Sequence, residues 1–167
     1  RGDAIAVATN RSHKTLDVFK VDGATGGVEF LWEQPTALKD PYGLCMYQSI
    51  QDELFVLAND KDGQFEVWQL DMATQTMLPR PGFTIASQPE GCVADDEMAQ
   101  LYFGEEEVGL WRQDLSALLA GDQVKPQLID RVDQGYLVAD VEGIGIYRQA
   151  HGKGYLVVSS QGDDSYV

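Results

Sequence analysis

The chain is poor in cysteine, histidine and positive charge. Its two cysteines, Cys45 and Cys92, are too few for a disulfide framework and lack the paired spacing of a metal knuckle. The two histidines, His13 and His151, lie far apart in polar surroundings, which removes the imidazole clusters that hold zinc. Twelve Lys and Arg face 27 Asp and Glu, a formal charge of −15. A field of that sign repels phosphate backbones and excludes non-specific nucleic-acid binding. Long apolar runs are missing as well. The stretches 5–8, 54–58 and 155–158 have the length of strands, far short of the ~18 residues needed to span a membrane as a helix. What remains is 44% apolar, enough to pack a core and to exclude wholesale disorder.

Glycine, turn signals and short β-rich runs point to an all-β protein. The stronger signal is internal repetition. One strand type reads Ile5-Ala-Val-Ala-Thr-Asn10, Leu54-Phe-Val-Leu-Ala-Asn59, Leu101-Tyr-Phe-Gly-Glu105 and Tyr155-Leu-Val-Val-Ser-Ser160. A second reads Leu16-Asp-Val-Phe-Lys-Val-Asp22, Phe65-Glu-Val-Trp-Gln-Leu-Asp71 and Val108-Gly-Leu-Trp-Arg-Gln-Asp114. Ahead of the first type stand Tyr42-Gly43, Glu90-Gly91 and Glu142-Gly143, and a weaker fourth strand follows the second. The unit has four strands and recurs every 43 to 54 residues or so, the size of one propeller blade. Calling its strands A to D, the chain divides into a partial blade over 1–34, blades over 40–86 and 88–133, and a partial blade over 140–167. Only residues 114–121 look helical, with an Asp cap and a closing Gly, between strands C and D. Because Arg1 is not an initiator Met and Val167 falls inside a strand-like pattern, the chain reads as a fragment of a longer protein, an incomplete arc of blades.

In an antiparallel blade the D-to-A and B-to-C connections share one face. That face collects Arg11, Tyr42, Lys61, Asp62, Glu90, Glu106, Asp140, Glu142 and Gln161. Residues i and i+2 of an extended chain point the same way about 7 Å apart, so Asp140 and Glu142 are expected side by side. With Glu90 and Glu106 nearby they would repel unless a cation sits among them. Hard oxygen donors on irregular loops favour calcium. Arg11 and Lys61 supply donors for phosphate or carboxylate. Of the triad Glu105-Glu106-Glu107, Glu106 is the expected site residue and Glu107 faces solvent. Asp71 and Asp95-Asp96-Glu97 fall on the opposite face as turn residues.

Thr9-Asn-Arg-Ser12, Tyr42-Gly43, Lys61-Asp-Gly63, Glu90-Gly91, Ala94-Asp-Asp-Glu97, Leu101-Tyr102, Glu105-Glu106, Trp111, Asp140-Val-Glu-Gly143, Gly152-Lys-Gly-Tyr-Leu and Ser159-Ser-Gln-Gly162 run in one order along the chain. That ordered set resembles the β-propeller phytases. The resemblance implies a six-bladed propeller, of which this chain is about half. It implies calcium-dependent hydrolysis of phosphate from phytate (myo-inositol hexakisphosphate) by an enzyme that is secreted or periplasmic and monomeric at full length. By matching motif positions, Arg11 and Tyr42 belong to a cleavage pocket, and Lys61 and Asp62 to an adjoining affinity pocket. Glu90, Glu106, Asp140, Glu142 and Gln161 hold several calcium ions or the water between them. Asp62 stands where the family more often carries Glu. The family's aspartate-rich N-terminal motif, its Asn-Asn-x-Asp motif and its closing blades are absent, so this chain alone is expected to be inactive.

Two other functions fit a propeller with an acidic mouth. A calcium-dependent lactonase or esterase has no need of Arg11 and Lys61 on that face, and a non-catalytic binding module would show exposed aromatics there without calcium stabilisation. Phe19, Trp68 and Trp111 recur at one strand position and are expected between blades, with Trp32 also packing. Cys45 and Cys92 follow the repeated glycine by two residues and by one, so alternation turns them to opposite faces. Two buried thiols are the expectation, not a bridge.

Overall fold

The computed structural model describes residues 2–149, 153–163 and 165–166; His151 and Gly152 lie outside them. Four antiparallel sheets follow one another along the chain. The first is β1 (Ala4–Asn10), β2 (Thr15–Val21) and β3 (Val28–Pro35), and the second β4 (Pro41–Gln48), β5 (Leu54–Asp60), β6 (Gln64–Asp71) and β7 (Thr76–Thr84). The third is β8 (Pro89–Asp95), β9 (Gln100–Glu105), β10 (Gly109–Asp114) and β11 (Gln127–Arg131), and the last β12 (Val141–Arg148), β13 (Gly154–Ser160) and β14 (Ser165–Tyr166). Every sheet is a simple meander, and β4, β8 and β12 pack side by side. This is an arc of propeller blades, with the A strands at the inner edge.

Strand β5 shows why the pattern yields sheets stacked face to face. Successive side chains alternate sides, and here both sides are apolar. Phe55 and Leu57 enter one core with Phe65 and Val67 of their own sheet and Leu101 and Phe103 of the third. Val56 and Ala58 enter another with Leu16 and Val18 of the first. A third core, Leu110, Leu137, Val141 and Val158, joins the last two sheets. Pro79 and Pro81 fall in β7, an outer edge strand where a missing N–H breaks no ladder. The short helix α1 (Leu115–Ala120) lies between β10 and β11; Asp114 accepts from the Ala117 N–H and Gly121 closes it at φ 90°. Trp68 and Trp111 pack half-buried against the inter-sheet cores, as does Trp32, whereas Phe19 pairs edge-on with the exposed Phe30.

The cysteines do not behave as expected. Cys45 and Cys92 form a disulfide, with Cα atoms 5.8 Å apart. Alternation does turn them to opposite faces of their own sheets. In a stack of sheets, however, the far face of one meets the near face of the next, so opposite orientations bring the two sulfurs together.

Candidate functional site

Each A strand opens with a site residue followed by a glycine, and the glycine sets the spacing. A Cβ on Gly43 would strike the Glu90 carbonyl oxygen, and one on Gly91 would lie 2.7 Å from the Glu142 carbonyl oxygen. Only hydrogen at these positions lets neighbouring A strands approach backbone to backbone. Tyr42, Glu90 and Glu142 therefore stand in a row along the inner rim. Asn59, fully buried at the end of β5, ties the first two: its Oδ1 accepts from the Gly43 N–H at 2.9 Å and its Nδ2 donates to the Glu90 carbonyl at 3.3 Å.

The ends of the B strands hold the loops that feed this rim. Asp60, 1% exposed, accepts from the backbone N–H groups of Lys39, Asp62 and Gln64. Glu105, also 1% exposed, does the same for Ser87 through both its N–H and its hydroxyl. Ser160 accepts from the Val138 N–H at 2.8 Å. These three are loop anchors, and they direct the next residue outward. Hence Glu105 is turned inward while Glu106 faces the rim and Glu107 is exposed.

Backbone bonds fix the acidic half. The Val141 N–H donates to the Glu106 carbonyl at 3.1 Å, and the Gln161 N–H to the Asp140 carbonyl at 2.9 Å. Burial pushes the Glu106 carboxyl above its ordinary range, and the adjoining Asp140 carboxyl and then Glu90 add to the effect. Burial likewise raises Glu142, with Glu90 and Asp140 repelling its charge and Lys61 partly offsetting them. Asp140 Oδ1 is buried and receives no hydrogen bond. Glu90 is 4% exposed and meets the Gln88 amide. Gln161 sits exposed in the 3-10 turn Gln161–Asp163, beside Asp140 in the hydrogen-bond pattern.

The basic half gathers on Tyr42. Lys61 Nζ stands 4.4 Å and Arg11 Cζ 5.4 Å from its ring centroid, both within cation–π range. The Tyr42 hydroxyl is held neutral to higher pH than usual, first by the Glu90 charge, then by burial, Glu142 and a hydrogen bond to Glu90. Tyr42 thus joins the cationic half to the acidic half. Arg11 forks onto Asp40, with Nε and Nη2 each 2.8 Å from a carboxylate oxygen. Asp62 is held by Lys39 at 2.6 Å. On the opposite face Asp71 and Asp95 cap turns, and Asp95 also receives Arg148 at 2.9 Å.

A family profile described as Phytase matches residues 2–167. The chain belongs to the phytase family. Among curated proteins it is 36% identical to a 3-phytase of Bacillus subtilis, over 98% of this chain and 44% of that protein's length. The chain thus spans less than half of the relative it matches. Among solved structures, one from Lactobacillus plantarum aligns over 94% of this chain and 45% of its own, with TM-score 0.52 and 14% identity. A Bacteroides thetaiotaomicron protein described as an auxiliary nutrient binding protein aligns over 96% and 43%, with TM-score 0.55 and 11% identity. These two show the fold alone.

For a phytase, the structure brings together Glu90, Glu106, Asp140 and Glu142, and separately Arg11, Tyr42 and Lys61. It turns Asp62 toward Lys39. Among the described residues no three acidic side chains already surround one point as cation ligands. The donor chemistry nevertheless fits a hard cation: mutual repulsion among carboxylates, and a buried Asp140 oxygen without a donor, are both relieved by a divalent ion. Asn59, Asp60, Asp40 and Lys39 are the neighbours that motif matching did not assign. The shared signal for Asp60 is its place at the end of strand B, which Glu105 and Ser160 repeat.

Proposed function

We propose that this chain forms part of the site of a calcium-dependent phytase, a phosphoric monoester hydrolase of the 3-phytase type acting on phytate. Its four sheets would be consecutive blades of one propeller domain. The observation that carries the reading is the meeting of two unlike half-sites at Tyr42, with cations stacked on its ring and the next A strand bringing the Glu90 charge to bear on its hydroxyl. Membership of the phytase family and the 3-phytase relative support it.

Glu90, Glu106, Asp140, Glu142 and Gln161 would hold calcium. Bound there, calcium offsets the carboxylates, neutralises substrate charge and acidifies neighbouring water. Arg11 would orient phosphate oxygens from the other side and stabilise charge on the phosphoryl group as it transfers, while Lys61 would hold a neighbouring phosphate on the affinity side. Tyr42, kept neutral, would offer a hydrogen-bond donor between the halves. Asp62 would serve the affinity side only once released from Lys39. A lactonase has no use for this concentration of cations, and that observation sets the alternative aside.

The disulfide fits an oxidising compartment, in keeping with secretion or a periplasmic location. No helix among the described residues is long and apolar enough to cross a membrane. The test is phosphate release from phytate by the protein that carries this chain, with calcium present and then chelated. Calcium-dependent release is expected, together with a lower melting temperature after chelation, since an ion bound only by the native state stabilises it by mass action. Turnover that persists unchanged in excess chelator would refute the metal's role.

A further inference from the structure

The dipeptide Lys39-Asp40 makes two ion pairs of opposite sense with two different loops. Asp40 takes the Arg11 guanidinium in a two-point fork, 2.8 Å at each contact. Lys39 reaches the Asp62 carboxylate at 2.6 Å. Both pairs are open to water, with side-chain exposures of 53% and 40% for the first and 79% and 59% for the second. Exposed pairs of this kind add little to stability, so each can be surrendered at small cost. A carboxylate gripped by a planar guanidinium presents the same pair of acceptors that a phosphate presents.

The surroundings favour an anion. Lys14 and Lys61 both act on the Asp40 charge, as Arg11 does. With Lys39 next along the chain, four of the protein's twelve basic residues meet here, in a molecule of charge −15. Among the described residues Lys61 makes no salt bridge and lies on Tyr42 instead.

We propose that Asp40 and Asp62 act as internal stand-ins for phosphate, and that a polyphosphorylated ligand displaces them, so that Lys39 contacts a second phosphate group and sets a preference for ligands carrying more than one. The proposal rests on the phytase reading for the identity of the site, and it adds a residue and an exchange of partners to it. Binding proceeds by swapping carboxylate for phosphate on Arg11 and Lys39, with no bond made or broken. The freed Asp62 then faces solvent or a cation accompanying the ligand.

The experiment is calorimetric binding of tripolyphosphate and of inorganic phosphate, at fixed calcium, to the protein and to Lys39→Gln, Asp62→Asn and Lys125→Gln variants. Melting temperatures are recorded in parallel. Lys39→Gln should weaken tripolyphosphate about fivefold while leaving inorganic phosphate within about twofold. Asp62→Asn should tighten tripolyphosphate by a similar factor, because the competing carboxylate is gone. Lys125→Gln, an exposed lysine outside this rim, removes the same charge and should change neither probe. If Lys39→Gln weakens both probes equally, or Asp62→Asn lowers the melting temperature and leaves tripolyphosphate binding unchanged, the exchange is wrong and the pair is a clip between loops. Phytate hydrolysis by the unaltered protein is scored separately, so loss of the phytase reading and loss of the exchange give different results.

Discussion

Reducing the Cys45–Cys92 disulfide should have a large and calculable effect. The bond joins residues 47 apart in sequence, and it links the A strands of two successive sheets inside a shared apolar core. In the chain-entropy description, opening a loop of that length gives the unfolded state freedom equivalent to about 4 kcal/mol at 25 °C. For a cooperative unit of 167 residues, an unfolding entropy of about 2.1 cal/mol/K per residue converts this to a fall in melting temperature of roughly 11 °C. Scanning calorimetry with and without reductant measures it. Thiol titration in denaturant reports the bond directly, with none reactive before reduction and two after. A Cys45→Ala, Cys92→Ala double variant should melt at or somewhat below the reduced protein, because truncation in the core adds to the loss of the link. Two reactive thiols in untreated protein would refute the bond. A fully reduced protein melting within about 2 °C of the oxidised one would refute the energetic reasoning.

Three other outcomes follow from the rim. Gly91→Ala places a methyl against the backbone of the neighbouring A strand; a loss of about 1–3 kcal/mol in denaturant unfolding is expected, with weaker calcium binding because Glu90 and Glu142 are pushed apart. Glu106→Gln should stabilise the calcium-free protein, since it removes one of several repelling carboxylates, yet weaken calcium binding at least about tenfold; calorimetry and metal titration must move in opposite directions. Asp40 is held below the ordinary aspartate value of 3.8 by its hydrogen bonds to Arg11. A depressed folded-state pKa gives stability that is present above 3.8 and lost as pH falls through the lowered value. An NMR titration of the Asp40 carboxyl should therefore show its midpoint below 3.8, returning toward 3.8 in Arg11→Ala; an unshifted midpoint in the unaltered protein would exclude the pair in solution.

Much of this architecture is legible in the amino-acid order. The period of the repeats, the double-sided apolar strands such as β5 and the Asp114-to-Gly121 helix are local or periodic signals, and local signals survive without knowledge of the tertiary arrangement. What resists sequence reading depends on how one sheet meets the next. Facing directions for Cys45 and Cys92 follow from alternation, but their contact depends on stacking. At the rim, the repeat that aligns Leu54 with Leu101 is out of register: Pro41 pairs with Asp60 and Pro89 with Glu105, with the same irregularity following in each pairing, so Val56 is the residue that corresponds to Leu101, and Asp60 to Glu105. In that register Glu105 takes the place of the buried anchor Asp60, and Glu106 follows it outward. Lys39 and Asp40 carry no motif, and their importance appears only when loops from two sheets are seen side by side.

The glycine that follows Tyr42, Glu90 and Glu142 has a consequence for how such a rim can diversify. Close approach of neighbouring strands is secured by Gly43 and Gly91, so the side chain before each glycine does not set the spacing. One socket, cast three times, therefore accepts an aromatic plate or an acid with the scaffold unchanged. Duplicating a blade in such a system delivers a new functional position already aimed at the common opening. New chemistry then needs one codon change, not a rebuilt fold.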